Sequence, residues 1–158
     1  MGCAPTLLRQ VHLEGHDGAA PTVRHRDSAG RWTRFAGSVS VAHRDGRGAA
    51  VAVGFGMRAG VDLERSGSVS RKGARYFAGP RELTRGPDDA TTIWVLKEAA
   101  WKALELDGSL SLRCLALEFD RRRELQAVRV GNRRLRASAA LLHPWFGFVA
   151  AVVLVEDA

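Results

Sequence analysis

Cysteine is almost missing from this chain. Cys3 and Cys114 are the two in 158 residues, too few for a disulfide framework, and neither stands in a CxxC or Cys/His spacing that suggests zinc. Long apolar runs are missing too. No stretch approaches the roughly 18 residues that span a membrane, and no apolar segment follows the first residues as a secretory leader would require. Met1-Gly2-Cys3-Ala4-Pro5-Thr6 nominally fits a myristoylation pattern. Nothing downstream supports a membrane role, so the match reads as chance and a reduced cytoplasm is the expected location. Low-complexity tracts and tandem repeats are absent. Acidic residues are the scarcer charge: 17 Asp and Glu against 24 Lys and Arg leave a net charge of +7. That balance favours an anionic partner, whether nucleic acid, nucleotide phosphate or acidic protein. No basic motif interleaved with aromatics accompanies it, so nucleic acid is not expected.

What is there suits one folded domain over residues 1–158. Hydrophobic residues make up 46% and charged ones 26%, a balance that can bury a real core. The pattern is α+β. A strand is expected over 7–13 and a Gly-, Asp- and Pro-rich loop over 15–31. His12, His16 and His25 fall in this part, loosely spaced for metal ligands. Alternation over 37–43 and the apolar run 49–55 predict a hairpin turning at 44–48. His43 would sit at its loop end, where a His43-Arg44 pair could hold a phosphate. Residues 60–64 are the next strand. Helical turns broken at Gly79-Pro80 precede a helix over 90–106, capped by Asp88 or Asp89 and ended by Asp107-Gly108. Ile93, Leu96, Ala100 and Leu104 form one apolar stripe on it, while Trp94, Glu98, Trp101 and Lys102 lie on another face. Antiparallel strands are expected over 113–119, 124–130, 133–139 and 146–155. Arg121, Arg122, Arg123, Arg133, Arg134 and Arg136 gather around one hairpin, most simply a solvated edge whose charge blocks edge-to-edge pairing.

The chemistry concentrates in residues 60 to 102. In Gly60-Val61-Asp62-Leu63-Glu64 the two carboxylates are spaced i, i+2, so a strand points both the same way. In Trp94-Val95-Leu96-Lys97-Glu98-Ala99-Ala100-Trp101-Lys102, Glu98 and Lys102 are helix neighbours at i, i+4. Each has a plain alternative: two solvated acids on a half-exposed strand, and a surface ion pair. If helix and strand pack together, three carboxylates and a lysine meet, an oxygen-lined setting suited to Mg²⁺ and a phosphate ester.

Read in order, Gly60-Val61-Asp62-Leu63-Glu64, then Tyr76-Phe77 with Glu82, then Trp94-x-Leu96-Lys97-Glu98-Ala99-x-x-Lys102 resemble the 4′-phosphopantetheinyl transferase superfamily. Its pattern is a G-[VI]-D-x-E strand, an F-F-x-x-x-E segment and a W-x-x-K-E-A-x-x-K helix. Ser38-Val39-Ser40-Val41-Ala42-His43 looks like that family's strand ending in S-H-S, and Gly30-Arg31-Trp32 sits near its G-[KR]-P. The resemblance implies an antiparallel sheet packed against one main helix. It also implies a shortened N-terminal half over 1–59 and a C-terminal half over 60–158 that carries the metal site. The family moves the phosphopantetheine arm of coenzyme A to a serine of an acyl or peptidyl carrier protein, in fatty acid, polyketide or nonribosomal peptide biosynthesis, and releases 3′,5′-ADP. By resemblance, Asp62, Glu64 and Glu98 would hold Mg²⁺, and Glu98 would be the base, directly or through a water. Lys102 and Lys97 would neutralise phosphate charge. His43 would contact the 3′-phosphate, with Arg31 and Arg44 as phosphate partners. The implied partners are coenzyme A and a carrier protein, with no nucleic acid and no membrane, and the chain would be a monomer or homodimer. The short first half also leaves an impaired relative that binds a carrier or synthase as an alternative.

Overall fold

The apolar runs of the sequence become the central strands of antiparallel sheets. The structure, a computed structural model of the chain, describes residues 11–14, 22–26 and 29–156. The chain divides into two compact units, Met1–Ala36 and Gly37–Ala158.

In the first unit, β1 (Val11–Glu14), β2 (Thr22–Arg26) and β3 (Trp32–Arg34) form a sheet in that order. Val11 pairs with His25 and Arg24 with Arg34. The expected first strand is described only from residue 11 onward. The expected loop over 15–31 contains β2 instead. That strand has partners on both sides, and satisfying its backbone donors and acceptors outweighs the turn-forming residues around it. His16 lies outside the described residues.

The second unit opens with the expected hairpin of β4 (Ser38–Arg44) and β5 (Arg47–Val53). Asp45 and Gly46 make its two-residue turn with φ of 50° and 73°, positive at both centres as a type I′ turn requires. There follow β6 (Met57–Arg65), two short helices α1 (Arg71–Ala74) and α2 (Pro80–Arg85), the main helix α3 (Ala90–Ala103), and a 3₁₀ turn at Leu112–Cys114. The chain ends in β7 (Leu115–Phe119), β8 (Leu125–Val130), β9 (Arg133–Leu142) and β10 (Phe148–Glu156). These strands form an antiparallel sheet in the order β6-β10-β9-β8-β7. Among the described residues no helix is long and apolar enough to cross a membrane.

Strand β10 is apolar almost throughout because both its faces are covered. Val149, Ala151, Val153 and Val155 lie in one cluster with Val95, Leu96, Ala99 and Ala103 of α3. Phe148 and Ala150 pack with Val61 and Leu63 of β6 and Ala42 of β4. The edge of β6 is closed by two serines of β4. Ser38 Oγ accepts from the Ala59 N–H at 3.0 Å and Ser40 Oγ from the Val61 N–H at 3.1 Å. A Ser-x-Ser alternation thus ties the hairpin to the sheet where a backbone ladder is missing.

Helix α3 starts where Asp89 Oδ2 accepts from Thr92 N at 2.8 Å, an ordinary aspartate cap. It ends at Ala103, three residues before the expected limit. Glu105 turns left-handed, with φ of 50°, and its N–H donates to Lys102 O while the Leu106 N–H donates to Trp101 O. That bond pair is a Schellman ending, here without its usual glycine.

Candidate metal and phosphate site

The site begins with a missing side chain. A Cβ on Gly60 would lie 1.8 Å from Ala99 O and 2.6 Å from Ala103 N, so only glycine lets α3 rest this closely on β6. Strand alternation then puts Asp62 and Glu64 on the same side as Gly60, toward α3. The helix residues before Ala99 and Ala103 are Glu98 and Lys102. Sheet and helix therefore gather all four expected residues at one end of the contact.

Lys102 Nζ donates to Asp62 Oδ1 at 2.8 Å and to Val61 O at 3.1 Å. Glu64 takes a different set of partners: Arg44 Nη1 at 3.4 Å, Ser68 Oγ at 3.3 Å and the Arg65 N–H at 3.3 Å. Glu98 is half-buried, and its carboxylate makes no hydrogen bond or ion pair with a described residue. Burial, more than any neighbour, raises the Asp62 carboxyl above its ordinary range. The Lys102 bond opposes that shift and Glu64 adds to it. Glu98 is raised as well, first by burial, then by the charges of Asp62 and Glu64, against Lys102. Negative charge at this spot is thus only partly balanced by the chain's own cations.

The structure does not bring Lys97 to this group. Lys97 is fully buried one residue before Glu98 and points away from it. Its Nζ donates to both oxygens of Glu82, at 3.0 and 3.1 Å. Glu82 also accepts from the Leu117 N–H at 2.8 Å and from the Gly79 N–H. The expected phosphate role fails for Lys97 because its ammonium is already committed to this buried carboxylate. Burial lowers the Lys97 pKa, and Glu82 opposes the shift. His43 is exposed on β4, on the strand face opposite Arg44, so those two neighbours do not converge. Arg31 belongs to the first unit, where it is exposed just before β3.

Three roles escaped the reading of the sequence. Glu82 was quoted as part of a motif, but not as a joint between α2, α3 and β7; the signal for that was Lys97, which stands on the apolar stripe four residues after Ile93 and three before Ala100. Ser68 steadies Glu64 from a loop that no periodicity marks. Gly60 was visible as part of a motif, but not as the point of closest approach.

A groove of about 380 Å³ leads from Glu64 and Arg44 past Ser68 and Val69 to Tyr76, Phe77 and Trp94. Phe77 and Trp94 meet edge to face, centroids 4.9 Å apart, while Tyr76 stays largely exposed. Another hollow, about 480 Å³ and lined in part by Leu125, Ala137 and Leu154, holds none of the gathered carboxylates, so the smaller groove is the one that matters here. Among the described residues no three His, Cys, Asp or Glu side chains already stand in ligating geometry. Chemically, the set is oxygen only and carries excess negative charge, which fits a hard divalent cation. No family model matches the chain, and no curated protein does either.

Proposed function

We propose that the protein is a Mg²⁺-dependent 4′-phosphopantetheinyl transferase of the cytoplasm, with a fold of that superfamily whose first half is reduced. The observation that carries the reading is the under-neutralised trio of Asp62, Glu64 and Glu98 beside Lys102. It lies on the strand and helix whose motifs resemble that family.

In this reading Asp62, Glu64 and Glu98 would hold the ion. Bound there, Mg²⁺ supplies positive charge against the pyrophosphate of coenzyme A and against the charge that develops on the leaving 3′,5′-ADP. Lys102 presents a second, fixed cation at the same face and stabilises the phosphate charge of the transition state. Glu98 has a raised proton affinity and takes the proton of the carrier serine, directly or through a water. The serine oxygen bonds to the phosphorus that bears the pantetheine arm, and the bond from that phosphorus to the ADP oxygen breaks. Arg44, 3.4 Å from Glu64, would offer a further cation to a phosphate at the edge of the site. His43 is assigned to the nucleotide end, while Lys97 acts only through packing. The groove of about 380 Å³ past Tyr76 and Phe77 would take the uncharged arm.

Mass spectrometry of apo carrier proteins from the same genome, incubated with coenzyme A and Mg²⁺, tests the proposal. The expected result is one phosphopantetheine added to at least one carrier. No gain on any carrier that a known transferase does modify would overturn it. Asp62→Ala is expected to abolish the gain while the protein stays folded.

A second reading, a carrier- or synthase-binding relative without catalysis, is favoured by one feature: Lys102 occupies an oxygen of Asp62. Calorimetry separates the two. Carrier binding without coenzyme A binding selects the second.

A further inference from the structure

The turn between β9 and β10 and the tip of the β4–β5 hairpin carry a patch that the site above does not use. Phe146 is completely exposed and Trp145 is 38% exposed. Arg47 lays its guanidinium over the Phe148 ring, 4.7 Å from the centroid, and over Trp145 at 5.8 Å; Arg65 lies 5.8 Å from Phe148. The turn is fastened by Ser66 N–H to Gly147 O at 2.9 Å and Phe148 N–H to Trp145 O at 3.1 Å. The exposed ring therefore stands on a fixed base.

Charge at the patch is unbalanced. Arg44 and Arg47 face each other directly across the hairpin, a like-charge pairing that costs stability. Asp45 is taken by Arg65 at 2.6 Å and Glu64 by Arg44 at 3.4 Å. Arg47 makes no ion pair among the described residues. A phosphate would use the arginines but has no need of Phe146. Arginine beside exposed Trp and Phe on a firm base is the composition of a protein interface centre.

We propose that this patch docks an acidic, apolar-faced segment of the protein that presents the acceptor serine. The partner's carboxylates meet Arg47, and its apolar side chains cover Phe146 and Trp145. Arg44, directly across the hairpin from Arg47, reaches Glu64 at 3.4 Å, so a partner seated here borders the carboxylates. The partner's identity rests on the transfer reaction proposed above; the docking surface does not depend on turnover.

The test uses Arg47→Glu and Phe146→Ser, both at exposed positions, with near-ultraviolet circular dichroism to confirm folding. Apo carrier proteins of the same genome are assayed for mass gain and, separately, for binding by surface plasmon resonance. Where the wild type modifies a carrier, each variant is expected to raise KM for that carrier about tenfold, with coenzyme A affinity unchanged. An unchanged KM, or an equal loss of coenzyme A affinity, overturns the docking surface and leaves the transfer reaction standing. Where the wild type binds a carrier but modifies none, binding lost in both variants upholds the surface while the transfer reading falls. Binding unaffected by both variants, or no carrier bound at all, overturns the surface.

Discussion

On one side of α3, the Lys97 ammonium lies between both oxygens of Glu82, and that carboxylate also accepts two backbone N–H groups. On the other side, one residue later, the Glu98 carboxylate has no hydrogen-bonding partner among the described residues, and burial, followed by the charges of Asp62 and Glu64, pushes its proton affinity up against Lys102. Both places hold buried or half-buried charge. In the first, every oxygen of the carboxylate is used, so the pair serves as a joint that ties α2 and β7 to the helix. In the second, charge is left over. A fold tolerates uncompensated carboxylates only at a cost in stability, and such a cost is characteristic of a place where something else binds. In the proposed reading, the difference between Lys97 and Glu98 is therefore the difference between structure and function, one residue apart.

The most forceful way to break this comparison is Lys97→Met. It strands the Glu82 carboxylate in the core and is expected to cost about 3–5 kcal/mol in urea unfolding. Adding Glu82→Gln should return part of that loss. A single-variant cost no larger than that of a surface ion pair would show that Glu82 finds relief elsewhere. Gly60→Ala comes next. Its methyl would collide with the α3 backbone at Ala99 and Ala103, and helix displacement is expected to cost about 1–3 kcal/mol. Because Glu98 and Lys102 ride on that helix, turnover should fall further than stability does.

Glu98→Gln sharpens the functional side, with the opposite sign. Asp62 and Glu98 have folded-state pKa values raised above their ordinary ones. Their contribution to stability is thus fullest below the ordinary carboxylate range and is lost as pH rises through the raised values. At neutral pH without metal, Glu98→Gln should stabilise the protein slightly, by under about 1 kcal/mol given solvent screening at a half-exposed group, and so raise its melting temperature. The same variant should lose the stabilisation that Mg²⁺ gives the wild type. A thermal-shift series over pH and Mg²⁺ reads both effects; a variant less stable than wild type in the absence of metal contradicts them. Glu118→Ala supplies the smallest effect and a control. Hydrogen bonds from Arg129 and then Arg134 lower the Glu118 pKa. Its stability is present above the ordinary carboxylate range and lost as pH falls through the lowered value. For this exposed clamp less than about 1 kcal/mol is expected.

Much of the second unit could be read from local pattern. The Asp-Gly turn, the Asp89 cap and the apolar run of β10 each follow from short-range chemistry that the chain states openly. β2 could not be read, because only pairing on both sides makes a strand of residues that otherwise signal a turn. The early end of α3 was hidden too, since a left-handed Glu105 does a glycine's work. Of the site, Asp62, Glu64, Glu98 and Lys102 were legible because periods of two and of about 3.6 say which side chains share a face. Lys97 was misassigned by resemblance although its place on the apolar stripe marked it as buried. By itself, then, the sequence determined which residues share a face: two carboxylates on one strand, an acid and a lysine on one helix. Tertiary structure alone decided that those faces meet, because that depends on Gly60 admitting the α3 backbone and on Glu82 anchoring Lys97, contacts between residues 39 and 15 positions apart along the chain that no local period encodes.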